Sequence, residues 1–84
     1  MGDIYYVYIL KCADGTLYTG ITNNPNRRLK AHNNGTASKY TRARRPVEFV
    51  YTEAAPDKSA ALKRELEIKA LTRKQKLAMI DNYE

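Results

Sequence analysis

The side chains in this sequence with the means to do chemistry are Tyr8, Tyr18, Arg28, His32 and Glu65. An arginine guanidinium presents a planar fork of donors that matches a phosphate and can stabilise charge building on it. Arg28 and His32 stand four residues apart, so on a helix they stack on one face with Leu29 anchoring alongside. Glu65 is notable for its surroundings. At about 100° per residue, Ala61, Leu62, Leu66 and Ile68 define one apolar arc. Glu65 falls inside that arc and Glu67 points to roughly the opposite side. A carboxylate on a buried face is costly unless it is paired or binds a cation. An internal salt bridge, with Arg28 as a candidate partner, therefore competes with cation binding. His32 has two chemical readings, as a base or as a phosphate-positioning group, set against the plain one of a surface helix residue.

Seven tyrosines accompany one Phe and no Trp. Tyr5, Tyr6, Tyr51 and Tyr83 read as sheet residues with a wet end. Tyr8 and Tyr18 differ because they flank a hairpin signal, Ala13-Asp14-Gly15. A two-residue Asp14-Gly15 turn would place these two tyrosines on opposite faces. A three-residue loop pairs Cys12 with Thr16 and Tyr8 with Gly20, which puts Tyr8 and Tyr18 on one face. That loop needs a left-handed third residue, and Gly15 supplies it. Gly20 beside Tyr8 would then leave space for a phosphate to approach.

These side chains need a scaffold, and the chain spells one out. Residues 4–12 are rich in β-branched and aromatic types and predict a strand, with a second at Thr16–Thr22. Asn24-Pro25 predicts a helix start and Gly35 its left-handed stop. Residues 36–45 read as basic and irregular or weakly helical. Val47–Thr52 predicts a third strand, entered through Pro46. Asp57 caps a helix running to about Leu71. Thr72-Arg73-Lys74-Gln75 is a capping box that restarts a final helix with Leu77 and Ile80 on one face. The expected fold is α+β, a small, mainly antiparallel three-stranded sheet flanked by helices in the order β-β-α-β-α-α. No repeat or linker interrupts the chain, so residues 1–84 read as one domain.

Composition narrows the partners. Fifteen basic residues against nine acidic ones leave a net charge of +6, which favours a polyanion. Arg27, Arg28 and Lys30 form one cluster and Lys39, Arg42, Arg44 and Arg45 a second. A third runs through Lys63, Arg64, Lys69, Arg73, Lys74 and Lys76. One such cluster alone reads as a solvated surface; three in so short a chain point to phosphate binding. The only cysteine, Cys12, excludes an intrachain disulfide scaffold or a multi-cysteine zinc site. No apolar run reaches the roughly 18–20 residues of a membrane span, and no signal-peptide layout is present. Met1-Gly2 does not complete a myristoylation motif, because position 6 is Tyr6. A cytoplasmic monomer acting on nucleic acid is expected, with DNA preferred over RNA and no membrane partner.

The ordered motifs resemble the GIY-YIG nuclease superfamily, in particular its short stand-alone bacterial members. The name motif is matched by Tyr6-Val7-Tyr8 and Tyr18-Thr19-Gly20. Asn24 to His32 looks like the helix with the catalytic arginine, and Ala61 to Lys69 like the helix with the metal-binding glutamate. Tyr6 stands for the motif's first glycine and Thr19 for its isoleucine. The late asparagine of many members has no assigned counterpart; Asn82 lies near the C-terminus, and Lys74 or Lys76 stands nearer that place.

The resemblance implies an endonuclease that hydrolyses a phosphodiester in DNA, with a repair or recombination setting. Glu65 would hold one divalent cation, Mg²⁺ or Mn²⁺, through a single carboxylate plus waters and substrate oxygens. Arg28 would clamp the phosphate. Tyr8, Tyr18 or His32 would take the proton of the attacking water. Bringing a tyrosine pKa from about 10 to about 7 takes roughly 4 kcal/mol of differential stabilisation, which an ordinary sheet tyrosine lacks. Gly20, Arg27, Lys30, Lys39, Arg42, Arg44 and Arg45 are the expected nucleic-acid contacts. Two other classes compete. One is a DNA- or RNA-binding module on the same fold, favoured by the want of an appended specificity domain. The other is an adaptor recruiting an acidic protein, and a helper protein for the nuclease is a further expectation.

Overall fold

In the computed structural model, residues 4–83 are described. Met1 to Asp3 and Glu84 lie outside them, and with them the Met1-Gly2 terminus considered for lipidation. The elements are β1 (Tyr5–Cys12), β2 (Leu17–Thr22), α1 (Pro25–Asn33), α2 (Lys39–Arg42), β3 (Val47–Ala55), α3 (Lys58–Lys69) and α4 (Arg73–Asp81). The three strands form one antiparallel sheet in the order β2-β1-β3. The expected α+β architecture and element order are observed. Among the described residues α2, a single turn, is the only addition, within the segment read as irregular or weakly helical.

The β1–β2 turn is the three-residue loop. Gly15 adopts φ +85°, and its N–H donates to the Cys12 carbonyl at 2.9 Å. The Cys12 N–H donates to Thr16 at 2.9 Å, and Asp14 Oδ1 accepts from the Thr16 hydroxyl at 2.6 Å. Tyr8 consequently pairs with Gly20 and Leu10 with Tyr18. At the start of α1, the Asn24 side chain accepts from the Arg27 N–H, and Pro25 takes the first helical position. Gly35, at φ +81°, ends the helix with a Schellman pair: Thr36 N–H to Ala31 at 3.0 Å and Gly35 N–H to His32 at 3.1 Å. Asp57 caps α3, and Thr72 with Gln75 forms the expected capping box of α4.

Each face of the sheet buries its own cluster. Val7 and Ile9 pack with Ala55, Ala61 and Ile68, backed by Met79 and Ile80 of α4. Tyr8, Leu10 and Cys12 pack with Val47 on the other face, with Leu29 of α1, Tyr18 and Phe49 against them. A bulge between Ile9 and Leu10 lets β3 serve both clusters. Tyr51 pairs with Ile9 but Phe49 with Leu10, leaving Val50 as the extra residue. β3 continues to Ala55, three residues past the expected end.

Two helical expectations need correction. The buried side of α3 is centred on Ala61 and Ile68, while Leu62 is 42% and Leu66 67% exposed. In α4, Ile80 packs inward beside Met79, whereas Leu77 stays exposed. The apolar arc of α3 is broader than the strip the sheet covers, so part of it faces solvent. Tyr83 also departs from expectation. It follows α4 rather than lying in the sheet, and it packs on Tyr51 with its hydroxyl 2.6 Å from Thr52 Oγ1.

Candidate active site

Tyr8 and His32 form the centre of the candidate site. The Tyr8 hydroxyl lies 2.9 Å from His32 Nε2, and His32 Nδ1 lies 2.8 Å from Thr41 Oγ1. Tyr8 is 1% exposed, and His32 and Thr41 are fully buried. His32 is therefore no surface helix residue. α1 has few apolar side chains, and the face that carries His32 is the one laid on the sheet. Tyr18 meets the same imidazole edge-on, with ring centroids 5.3 Å apart. The three-residue turn thus brings both tyrosines onto the histidine.

Burial raises the Tyr8 phenol above its ordinary range, and the nearby Tyr18 and Glu65 add to this, while Arg28 pulls the other way. Burial and then the Arg28 charge lower the His32 pKa, so the imidazole is held neutral. The Arg28 Nε is buried with no hydrogen-bond partner. An orphaned guanidinium nitrogen beside a phenol suits an anion arriving at the site.

Glu65 enters from α3, which packs across β1 and β2. Its side chain is only 15% exposed, and its salt bridge is to Lys69, at 3.6 Å. The partner is thus Lys69 and not Arg28. This pair is long and its lysine half-exposed, so it contributes at most about 0.3–0.5 kcal/mol, as for an exposed pair on one helix. The carboxylate keeps lone pairs free. Among the described residues no group of three or more His, Cys, Asp or Glu could hold a metal. A lone, largely buried carboxylate with free oxygens fits Mg²⁺, which binds through one or two carboxylates and keeps its waters.

Gly20 has a different role from the one expected. A Cβ there would stand 2.6 Å from the Tyr8 hydroxyl oxygen and 2.7 Å from its Cζ. The room beside Gly20 is filled by the Tyr8 ring and is not open to a phosphate.

The expected contact residues divide into two groups. Arg27 is exposed and, with Thr22, Asn23, Asn24, Arg28 and Ala31, lines a depression of about 270 Å³. Lys30, Lys39, Arg42 and Arg45 are also exposed, and Arg42 and Arg45 border a second hollow of about 560 Å³. Arg44 is committed internally. It lies 3.1 Å from Asp14 Oδ2, donates to the Tyr40 carbonyl at 2.9 Å, and covers the Tyr40 ring at 4.0 Å. Tyr40 stacks in turn on Tyr18 at 5.9 Å. Of the third cluster, Arg64 is bound to Glu53 and Glu67, and Arg73 donates to the Gly15 carbonyl. Asn82 lines a separate hollow with Tyr51, Arg64, Met79 and Tyr83.

Thr41, Tyr40 and Asn33 were not singled out from sequence. Thr41 reaches His32 only through the tertiary fold. The sole local signal was Ser38, whose side chain caps α2 by accepting from the Tyr40 N–H. Asn33 clasps the start of β3, accepting from the Val47 N–H at 2.8 Å and donating to its carbonyl at 3.1 Å.

The sequence model of the GIY-YIG catalytic domain matches residues 4–78, and the chain belongs to the GIY-YIG family. It is 59% identical over 78 residues to a UPF0213 protein of Staphylococcus epidermidis, covering 93% of this chain and 95% of that one. A Staphylococcus aureus UPF0213 protein is 54% identical over the same share of each. The solution NMR structure of a Bacillus halodurans UPF0213 protein superposes with a TM-score of 0.60 at 45% identity. That match covers 93% of this chain and 83% of the other. Among the described residues no helix is long and apolar enough to cross a membrane.

Proposed function

We propose that this protein is a divalent-metal-dependent endonuclease that hydrolyses a phosphodiester bond in DNA, working in the cytoplasm as one domain. The observation that carries this reading is the buried Tyr8–His32 hydrogen bond at 2.9 Å, with the Arg28 and Glu65 charges both acting on Tyr8. The net charge of +6 and the exposed Arg27, Lys30, Lys39, Arg42 and Arg45 supply the attraction for the polyanion.

In this reading Glu65 would hold one Mg²⁺ or Mn²⁺, which would neutralise phosphate charge and ease departure of the leaving oxygen. Arg28 would offer its guanidinium, whose buried Nε has no hydrogen-bond partner, to the scissile phosphate as charge builds. Both ring nitrogens of His32 are engaged, Nε2 by Tyr8 and Nδ1 by Thr41, so a water proton reaches the imidazole only through a tyrosine. With Tyr8 itself 1% exposed, the water has to enter with the substrate. Tyr8 is the tyrosine joined by a hydrogen bond to a neutral imidazole able to share its proton. As a water oxygen bonds to phosphorus and the ester bond breaks, the water proton passes to Tyr8 and the Tyr8 proton to His32. The leaving oxygen takes up a proton from solvent and departs as an alcohol. Tyr18, half-buried and edge-on to the ring, holds the imidazole in place.

The rival reading is a DNA- or RNA-binding module that does not cut, and the Lys69–Glu65 pair favours it by placing a cation already beside the carboxylate. Nicking of supercoiled and branched DNA with Mg²⁺, wild type beside Glu65→Ala, separates the two. Cleavage by wild type alone, with salt-sensitive binding retained by both, supports the nuclease. Binding without cleavage by either supports the module. A repair or recombination role would follow from preference for branched over intact duplex substrates.

A further inference from the structure

We propose that Thr41 is a positioning residue: it fixes His32 in the Nδ1–H tautomer and so directs the Tyr8 hydroxyl proton onto His32 Nε2. Its catalytic consequence rests on the nuclease reading above, but its geometry does not. The Thr41 hydroxyl lies 3.3 Å from the Ser38 carbonyl, a group that can only accept. If the hydroxyl proton goes there, Thr41 Oγ1 is left with lone pairs for His32 at 2.8 Å, and Nδ1 must donate. In a neutral imidazole Nε2 is then the acceptor, and Tyr8, at 2.9 Å, must be the donor.

The opposite arrangement runs Thr41 to Nδ1 and Nε2–H to Tyr8. It makes two hydrogen bonds where the first makes three. It also leaves the Tyr8 proton with no acceptor on the protein among the described residues, inside a site where Tyr8 is 1% exposed. An unmade hydrogen bond at a buried donor costs about 1–3 kcal/mol, enough to choose the first arrangement by a factor of five or more, to order of magnitude. The groups facing His32 are Tyr8 from β1, Tyr18 from β2, Arg28 on its own helix and Thr41 from α2. None is an acid, and at rest the Arg28 charge holds the ring at one proton, an opposition that an anionic phosphate on Arg28 would relieve as the ring takes the Tyr8 proton.

α2 is only one turn long, yet it is pinned where this task requires. Ser38 caps it, and the Ala13 N–H donates to the Arg44 carbonyl at 2.9 Å. Arg44 bridges Asp14 of the hairpin turn and Tyr40 of α2, and Tyr40 lies on Tyr18. The hairpin that carries both tyrosines therefore also sets the height of Thr41 over the imidazole.

His32 is the only histidine in the chain, so its ring nitrogens can be read without ambiguity by ¹⁵N NMR. Wild type and Tyr8→Phe are expected to show the Nδ1–H tautomer at neutral pH, the latter held by Thr41 alone, and Tyr8→Phe with Thr41→Val to shift toward Nε2–H. Cleavage by Thr41→Val should fall roughly 10- to 100-fold in kcat with little change in KM, as for other groups that orient a functional imidazole. Thr41→Ser should restore most of it. An Nε2–H wild type, or a Tyr8→Phe protein that loses Nδ1–H while Thr41 is present, overturns the proposal even if the valine variant cleaves poorly. An undiminished rate in Thr41→Val overturns the catalytic half. If wild type cuts no DNA at all, the nuclease reading fails while the tautomer measurement still decides the assignment for Thr41. Should the valine variant not fold, the wild-type and Tyr8→Phe spectra decide it.

Discussion

Gly20→Ala tests the packing on which the site depends. The new methyl would stand 2.6 Å from the Tyr8 hydroxyl oxygen and 2.7 Å from Cζ, where ordinary contacts begin near 3.4 Å. The phenol must therefore move by about 0.8 Å, and it cannot do so freely. His32 holds its hydroxyl at 2.9 Å, and Phe49 meets the ring edge-on at 5.5 Å. Overpacking of this kind costs about 1–3 kcal/mol, and weakening the Tyr8–His32 bond adds about 1. Replacing glycine inside a strand returns about 0.5–1 kcal/mol. A net loss of about 1–3 kcal/mol is expected in urea unfolding. The same substitution in a Tyr8→Leu background should be neutral or slightly stabilising, because the colliding phenol is gone. An equal cost in both backgrounds would refute the claim that Gly20 exists to seat Tyr8.

Asn33→Ala removes both hydrogen bonds to the Val47 backbone and should lower stability by about 2–3 kcal/mol, read from the urea midpoint; a change under about 0.5 would contradict the clasp. Burial and Arg28 push His32 below its ordinary pKa of 6.5, so the unfolded chain takes up this proton before the folded one does. Its contribution is present above about pH 6.5 and is lost as pH falls through the lower folded value, so the urea midpoint should be lower at about pH 5 than at about pH 7.5. His32→Gln should flatten that slope, and an unchanged slope would assign it to other groups. Arg28→Ala should reduce turnover by more than about 10²-fold, as for loss of a preorganised charge partner. An unchanged rate would make Arg28 part of the basic surface.

Local signals predicted most of the scaffold. Gly15 after Ala13-Asp14 selected the loop length, and loop length alone decided that Tyr8 and Tyr18 share a face. Asn24-Pro25 and Gly35 bounded α1 because caps act within one turn of backbone. What the sequence hid were choices made by the sheet. α3 has more apolar side chains than the sheet can cover, so periodicity marked Leu62 and Leu66 as equivalent to Ala61 and Ile68 although only the latter pair is buried. The β3 bulge reversed the alternation of Phe49 and Tyr51, and no residue near Val50 announces it. His32 read equally well as a surface residue because the partners that satisfy it, Tyr8 and Thr41, come from two other elements. Gly20 invited a ligand in sequence, and a neighbouring side chain took the space.

The central claim is most directly tested by nicking of supercoiled plasmid by wild type and Tyr8→Phe, each with Mg²⁺ and with chelator. Phenylalanine keeps the ring packed beside Gly20 and deletes only the hydroxyl that meets His32. The account predicts Mg²⁺-dependent nicking by wild type, none with chelator, and a loss of about 10²-fold or more in Tyr8→Phe while DNA affinity is retained. Nicking by Tyr8→Phe at the wild-type rate, or wild-type nicking that persists in chelator, would contradict it.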